Sequence, residues 1–460
     1  MISLIRYWHY RKLFKASKMQ INRGVVFEID KPYSISKIKQ RLMESSSFQL
    51  ILYISLTSFT LYCCMYGFRK PYTSASFSNY QFFGLSYKSI LVIAQSIGYL
   101  ISKWIGIRFI ATTLAVNRAR NILFLLLVGW IALLLFAITP APYNCFFMFV
   151  NGLPLGMVWG LIFGYLEGRM FTDIMGAVLA TSFIFASGLA KTVGKLVSNN
   201  LHVSDIWMPF YAGAFFIIPA VVALYLLNQT PPPTSVDIVF KTARRPMAKS
   251  DRAAFLKNFG LILIPICLAY VLLTIIRDFC EDFSNELWIE TGHINDASIF
   301  AQTGTYISLV VLFVVGSFFL IKNNYKAFQY NYALIAIGFA CCIISTLLFQ
   351  LRTINSFYWF LIASTGIYMG YVSYNCVFFE RMIAAFKVNG TVSFVMYIAD
   401  TVGYFGALSI LLIKEMIHFH YSWVSFFIYL FYIAALIGIL FIIWASLLTK
   451  IKYTKSQIHA

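Results

Sequence analysis

Long apolar runs alternate with short polar breaks along this chain. Twelve runs stand out: 48–68, 87–110, 121–139, 144–166, 174–197, 207–227, 258–279, 299–321, 330–350, 356–379, 390–413 and 422–448. Each is long enough to cross a bilayer as a helix, which takes about 20 apolar residues. Phe, Ile and Leu follow one another within the runs, without the polar/apolar alternation of an outer-membrane barrel. The pattern predicts an all-α polytopic membrane protein with twelve transmembrane helices in two six-helix halves, 48–227 and 258–448. A basic tail at 1–47, a linker at 228–257 and a second tail at 449–460 frame them. The linker holds Pro231, Pro232, Pro233, Arg244, Arg245 and Pro246, the composition of an exposed connection.

Composition narrows the class. The chain is 60% hydrophobic and 12% charged, about half the charge of a soluble protein. That excludes a cytosolic enzyme, a secreted disulfide scaffold and a disordered linker. A net charge of +19 would suggest nucleic acid on a soluble protein, but here it sits in particular loops. The N-terminal tail carries ten Lys/Arg, and Lys241, Arg244, Arg245, Lys249, Arg252 and Lys257 mark the central loop. The loops after the third and fifth runs carry none, and the loop after the seventh is acidic, with Glu281, Asp282, Glu286, Glu290 and Asp296. This bias predicts both termini in the cytoplasm and a multi-pass protein of the cell (inner) membrane, with lipid rather than nucleic acid as its surroundings. The basic tail has a second use, attraction to anionic headgroups. No cleavable signal peptide is expected ahead of Phe48.

The eight cysteines lie mostly inside apolar runs, and the six histidines, at 9, 202, 293, 418, 420 and 459, sit in loops or ends. Neither set has metal-site spacing, so no metal, cofactor or enzymatic nucleophile is expected. Charges inside the runs are more telling, since each costs roughly 2.5–3.5 kcal/mol at a helix centre. The candidates in or at the ends of the runs are Arg69, Lys70, Lys103, Lys191, Lys195, Arg277 and Asp400. Six basic groups against one acid predict a cavity for an anion. Tyr62, Tyr66 and Arg69 share a helical face, as do Tyr99 and Lys103. Tyr270, Thr274 and Arg277 repeat the first set at an offset of 208, and Lys191-Thr192-Val193-Gly194 matches Asp400-Thr401-Val402-Gly403 at an offset of 209. Such pseudo-symmetry places a binding site between repeats. The plainer alternative is that Arg69, Lys70 and Arg277 lie near run ends and extend to the interface. Asp400, the lone acid, is expected to be the counter-charge of a basic residue in the core, with Lys103 and Lys191 as candidates.

With these residues in view, the chain resembles the major facilitator superfamily, and within it the organophosphate:phosphate antiporters that carry glycerol 3-phosphate or hexose phosphates. Tyr62, Tyr66 and Arg69-Lys70 match the family pattern of the first span; Tyr99 and Ser102-Lys103 match the second. Arg277, with Asp282 five positions on, falls on the second substrate arginine, and Gly403-Tyr404-Phe405-Gly406 stands where the family has Gly-Tyr-Leu-Gly. Phe185 replaces the expected histidine, the Asp-Arg signature after the second span is degraded, and Thr274 and Asp278 replace tyrosines. The resemblance implies the major facilitator fold and a monomeric carrier that moves an organic anion by alternating access. The anion is expected to be a phosphorylated small molecule exchanged for phosphate. Its expected site comprises Arg69, Arg277, Lys103, Tyr62, Tyr66, Tyr99, Tyr270, Tyr404 and Lys70, with Asp400, Lys191 and Asp282 as coupling or charge-pair groups; the superfamily's architecture sets the second span beside the eleventh, which implies Lys103 as the partner of Asp400, with Lys191 as the rival. The alternatives are a proton-coupled permease using Asp400 and a non-transporting sugar-phosphate receptor.

Overall fold

The computed structural model describes residues 36–458 except 79, 83, 170, 234–236, 238–248, 387–391 and 417–421. Most of the basic tail, the linker residues Arg244, Arg245 and Pro246, and His9, His418, His420 and His459 lie outside the described residues. The helix Lys37–Glu44 belongs to a separate unit, and Ser45 opens the large one. Within the large unit the helices that correspond to the twelve runs are α1 (Ser47–Gly67), α2 (Tyr87–Thr112), α3 (Arg118–Ile138), α4 (Cys145–Leu166), α5 (Thr172–Leu201) and α6 (Met208–Asn228). They continue as α7 (Lys249–Asp282), α8 (Ser298–Ser317), α9 (Asn324–Gln350), α10 (Ser356–Ser373), α11 (Val392–Met416) and α12 (Trp423–Ile458).

Among the described residues, ten of these, α1–α9 and α12, are long and apolar enough to cross a membrane. The two remaining runs form α10 and α11. The latter carries Asp400 in its middle and Lys414 and Glu415 in its last turn. Helix ends differ most from run ends in two places. α7 extends from Lys249 to Asp282, and α12 runs on to Ile458. Lys, Glu and Arg are good helix formers, so an apolar run marks the lipid-buried part of a helix rather than its limits. α10 passes through a π-turn at Tyr374–Phe378 into a further helix, Phe379–Phe386. The short hairpin Gln81–Phe82 with Leu85–Ser86 lies between α1 and α2.

Local chemistry sets several starts. Ser46 and Gln49 form a reciprocal capping box on α1, and Asn323 and Asn355 accept from the backbone N–H groups of Lys326 and Tyr358 at the heads of α9 and α10. These satisfy donors that a helix N-terminus leaves unpaired. Small residues then let helices touch, as packing in lipid requires. A Cβ at Gly98 would lie 2.2 Å from the Phe149 carbonyl oxygen, which fixes the close α2–α4 crossing. One at Gly188 would lie 2.3 Å from that of Phe300, which fixes α5 against α8. Phe124, Ile218, Leu261, Phe313, Phe405 and Leu440 are exposed on the outside of the bundle, the surface that faces lipid.

Candidate functional site

The site begins where α1 stops. Helix geometry ends at Gly67, and a 3-10 turn follows at Pro71–Ser74, yet every residue from 61 to 75 is buried. Non-helical backbone at membrane depth is tolerated only inside protein or along a cavity. Its freed carbonyls need donors, and a polar network supplies them. Asn151 on α4 donates to the Phe68 carbonyl at 3.0 Å and to that of Gly129 at 2.8 Å. Gln95 on α2 donates to the Arg69 carbonyl at 3.0 Å and to Asn151 Oδ1 at 2.8 Å. Lys88 Nζ donates to the Thr73 carbonyl at 2.7 Å.

Arg69 therefore leaves the chain at a break, with its guanidinium inside the bundle. The residue is 8% exposed. Its Cζ lies 4.0 Å from the Tyr99 ring centroid and 5.5 Å from that of Tyr66. Its Nε has no hydrogen-bond partner, and no carboxylate pairs with it, among the described residues. The Tyr62 and Tyr66 rings meet edge to face at 5.5 Å beside it.

Tyr404 on α11 connects this group to the second arginine. Its ring lies 6.0 Å from Tyr99, 4.3 Å from Lys103 Nζ and 5.5 Å from Arg277 Cζ. Arg277 stacks 4.2 Å over Tyr371, and its Nε donates to Asp278 Oδ1 at 2.9 Å. Lys103 Nζ donates to Asp400 Oδ2 at 2.7 Å, and the Tyr270 hydroxyl donates to Asp400 Oδ1 at 2.5 Å. A cleft bounded by Ser96, Asp278, Asp282, Phe283 and Tyr404 opens between α2, α7 and α11.

Further along, where α1 and α7 finish, charged groups tie the two six-helix stretches together. Lys70 pairs with Asp282 and lies 3.4 Å from Glu281. Lys88 holds both oxygens of Glu286, at 2.6 and 2.8 Å. Lys191 donates to the Glu281 carbonyl and to Ser284 Oγ, both at 3.0 Å. Glu415 accepts from the Ser86 amide at 3.0 Å and from Ser89 Oγ at 2.8 Å. Thr192 Oγ1 donates to the Ala297 carbonyl at 2.8 Å.

The structure thus brings Arg69, Arg277, Lys103, Tyr62, Tyr66, Tyr99, Tyr270, Tyr404 and Asp400 into one interior cluster. It places Lys70, Lys191 and Asp282 in the ties beyond it, so Lys70 is held by carboxylates instead of facing a ligand. Interfacial extension of Arg69, Lys70 and Arg277 does not occur, because all three are buried. Lys191 is not the partner of Asp400. Glu281 and Asp282 are not in a solvated loop: they are the last turn of α7, 5% exposed, and stay buried because Lys70 and Lys191 meet them. Sequence reasoning missed Lys88, in the first turn of the second run, and the role of Glu286, placed in the acidic loop after the seventh run. Tyr371 and Gln95 were missed too. Gln95 falls one turn before Tyr99 on the same face, a signal that could have found it. His293 lies in a loop, its Nε2 3.4 Å from Ser356 Oγ.

Comparison with known proteins follows this geometry. The model of a family described as "Family of unknown function (DUF5690)" matches residues 71–452. A search of curated proteins returns no match. Among solved structures, the chain is similar to a D-xylose-proton symporter, with a TM-score of 0.60 and 13% identity over 87% of this chain and 97% of the other. It is similar to the nucleoside transporter NupG, with a TM-score of 0.58 and 14% identity over 87% and 99%. A POT family transporter in complex with 5-aminolevulinic acid gives a TM-score of 0.55 and 12% identity over 86% and 96%. At these identities the likeness is one of fold. It is the major facilitator fold expected from the sequence, an all-α polytopic membrane architecture.

Proposed function

This chain belongs to the DUF5690 family, a name that states no activity, and from its interior we propose that it is a secondary transporter that moves an organic anion by alternating access. One observation carries the reading: Arg69 is buried, stacked on Tyr99 and Tyr66, and left without a counter-ion. A buried charge without a partner is costly, and a bound anion supplies the missing one. Arg277, on the other six-helix stretch, lies 5.5 Å from the Tyr404 ring, which in turn lies 6.0 Å from Tyr99, so an anion bound between the arginines would touch both stretches. Closure around it follows only if the closed state binds it more tightly. That the structural neighbours are a sugar symporter, a nucleoside transporter and a POT transporter supports transport as the class.

The match of Tyr62, Tyr66, Arg69 and Lys103 to the organophosphate:phosphate antiporters supports a phosphorylated solute exchanged for inorganic phosphate. Basic residues at both ends, Lys37, Lys39 and Arg41 in one tail and Lys450, Lys452 and Lys455 in the other, support cytoplasmic termini in the cell membrane. The test is counterflow in proteoliposomes loaded with phosphate, with labelled organic anions outside. Uptake of at least one anion by the wild-type protein, and none by Arg69→Gln, is expected. Equal uptake by the two refutes the assignment of Arg69.

A second reading rests on Asp400. It joins Lys103 and Tyr270 in the centre of the bundle, so protonating it would release Lys103, as a proton-coupled permease requires. Uptake driven by an imposed proton gradient, and lost in Asp400→Asn with exchange preserved, would favour this reading over anion exchange.

A further inference from the structure

Charge pairing inside the bundle narrows the ligand beyond its sign, granted the anion-carrier reading on which this step rests. Arg277 is matched by Asp278, Lys103 by Asp400 and Lys88 by Glu286. Lys70 faces both Glu281 and Asp282, and Lys191 donates to the Glu281 backbone carbonyl and to Ser284 Oγ. Six interior cations thus stand against five carboxylates, and the excess is a single positive charge. Lys414 and Glu415, 2.9 Å apart, add one charge of each sign and leave the excess unchanged. The excess has a location too, since Arg69 alone among the six has neither a carboxylate nor a neutral acceptor at its head group among the described residues.

We infer that the carried species is a monoanion, a carboxylate or a singly ionised phosphate or phosphodiester, bound with its charged end on Arg69. The argument is electrostatic. An uncompensated charge in a low-dielectric interior is penalised by the square of its magnitude. The empty site carries one such charge and a monoanion cancels it. A dianion reverses it, leaving an equal penalty of opposite sign. The monoanion alone makes the occupied, closed site neutral, and so it alone favours closure. Asp278 is the selectivity device: it stands one residue from Arg277, where the resembled antiporters place a tyrosine, and it removes the second arginine from the count. The tyrosines around Arg69 then present ring faces and hydroxyls to the body of the solute.

The test uses the purified full-length protein and three probes of similar size at pH 8: benzoate and methyl phenyl phosphate, both monoanions, and phenyl phosphate, a dianion. Protection against thermal unfolding is measured at constant ionic strength. Half-maximal protection by each monoanion is expected at a concentration at least about tenfold below that for phenyl phosphate. Asp278→Asn, which frees Arg277 and raises the excess to two, is expected to reverse the order. Stronger protection of the wild type by phenyl phosphate, or an unchanged order in Asp278→Asn, overturns the inference while leaving an anion carrier. Protection by none of the three, or protection that survives Arg69→Gln, overturns the carrier reading itself and the inference with it. If Asp278→Asn does not purify, the wild-type order decides alone.

Discussion

Asp400→Asn tests whether the centre of the bundle is held by charge. At 2.7 Å, Lys103 and Asp400 attract by about 6 kcal/mol at an effective dielectric constant near 20. Most of that offsets the loss of hydration. Removing one member of a fully buried pair costs about 3–5 kcal/mol, because the other charge is stranded. Here the side chains are 23% and 21% exposed, so partial solvation lowers the expected loss to about 2–3 kcal/mol. Tyr270 softens it little, since its hydroxyl can still donate to an asparagine oxygen. Lys103→Met strands Asp400 in the same way. The double variant strands neither, and should fall short of the summed single losses by about 1.5–2.5 kcal/mol. Denaturant unfolding of the four proteins in one detergent–lipid mixture measures each term. Losses that add within about 0.5 kcal/mol would show that the contact is incidental and would leave Asp400 as a proton site.

Arg69→Lys keeps the charge but loses the planar head that stacks on Tyr99; uptake should disappear while the protein remains inserted, and wild-type uptake would contradict the site. Lys88→Met leaves Glu286 buried and unpaired, and should lower stability by about 3–5 kcal/mol. Adding Glu286→Gln should restore more than half of that, and equal thermal midpoints for single and double variants would rule out the tie. Gly188→Val drives a side chain against the Phe300 carbonyl oxygen and should cost about 1–3 kcal/mol or more. Gly260→Ala on α7, where a Cβ meets nothing within 4 Å, should instead stabilise by up to about 1 kcal/mol; the pair is compared by thermal unfolding. Asn151→Leu removes the donor to two buried carbonyls, and should cost about 1–3 kcal/mol in the same assay.

The helices were legible because hydration enforces them: a run of twenty apolar residues has few other places to go. Arg69, Lys103 and Asp400 were legible for the complementary reason, as charges that lipid would reject. What stayed hidden depends on partners distant in sequence. Lys88 and Glu286 are 198 residues apart, and each alone looks like an ordinary polar residue beside a membrane span. Glu281 and Asp282 looked like loop because acids often end an apolar run, and only Lys70 and Lys191 across the bundle make them interior. The break after Gly67 left no apolar signature, since Phe68 continues the run. Its evidence lies in Gln95 and Asn151, which answer the carbonyls it frees. Asp278 was visible as a departure from the resembled family, but its consequence required seeing it hold Arg277.

The ties beyond the cluster have a kinetic consequence. In the carrier proposed above, a solute arriving at the end where α1 and α7 finish would meet a competent site only in the fraction of molecules whose Lys70, Lys88 and Lys191 contacts have opened. Its apparent dissociation constant there is the intrinsic one divided by that fraction, so an opening fraction of about one in a hundred weakens it about a hundredfold. The opposite end has its own opening fraction. One site therefore shows two half-saturation concentrations, whose ratio is that of the two fractions. Gradients still set the direction of net flux. But a blocker too large to be carried would discriminate between the two sides of the membrane, and loosening the Lys88–Glu286 tie would narrow the difference without altering a single contact to the solute.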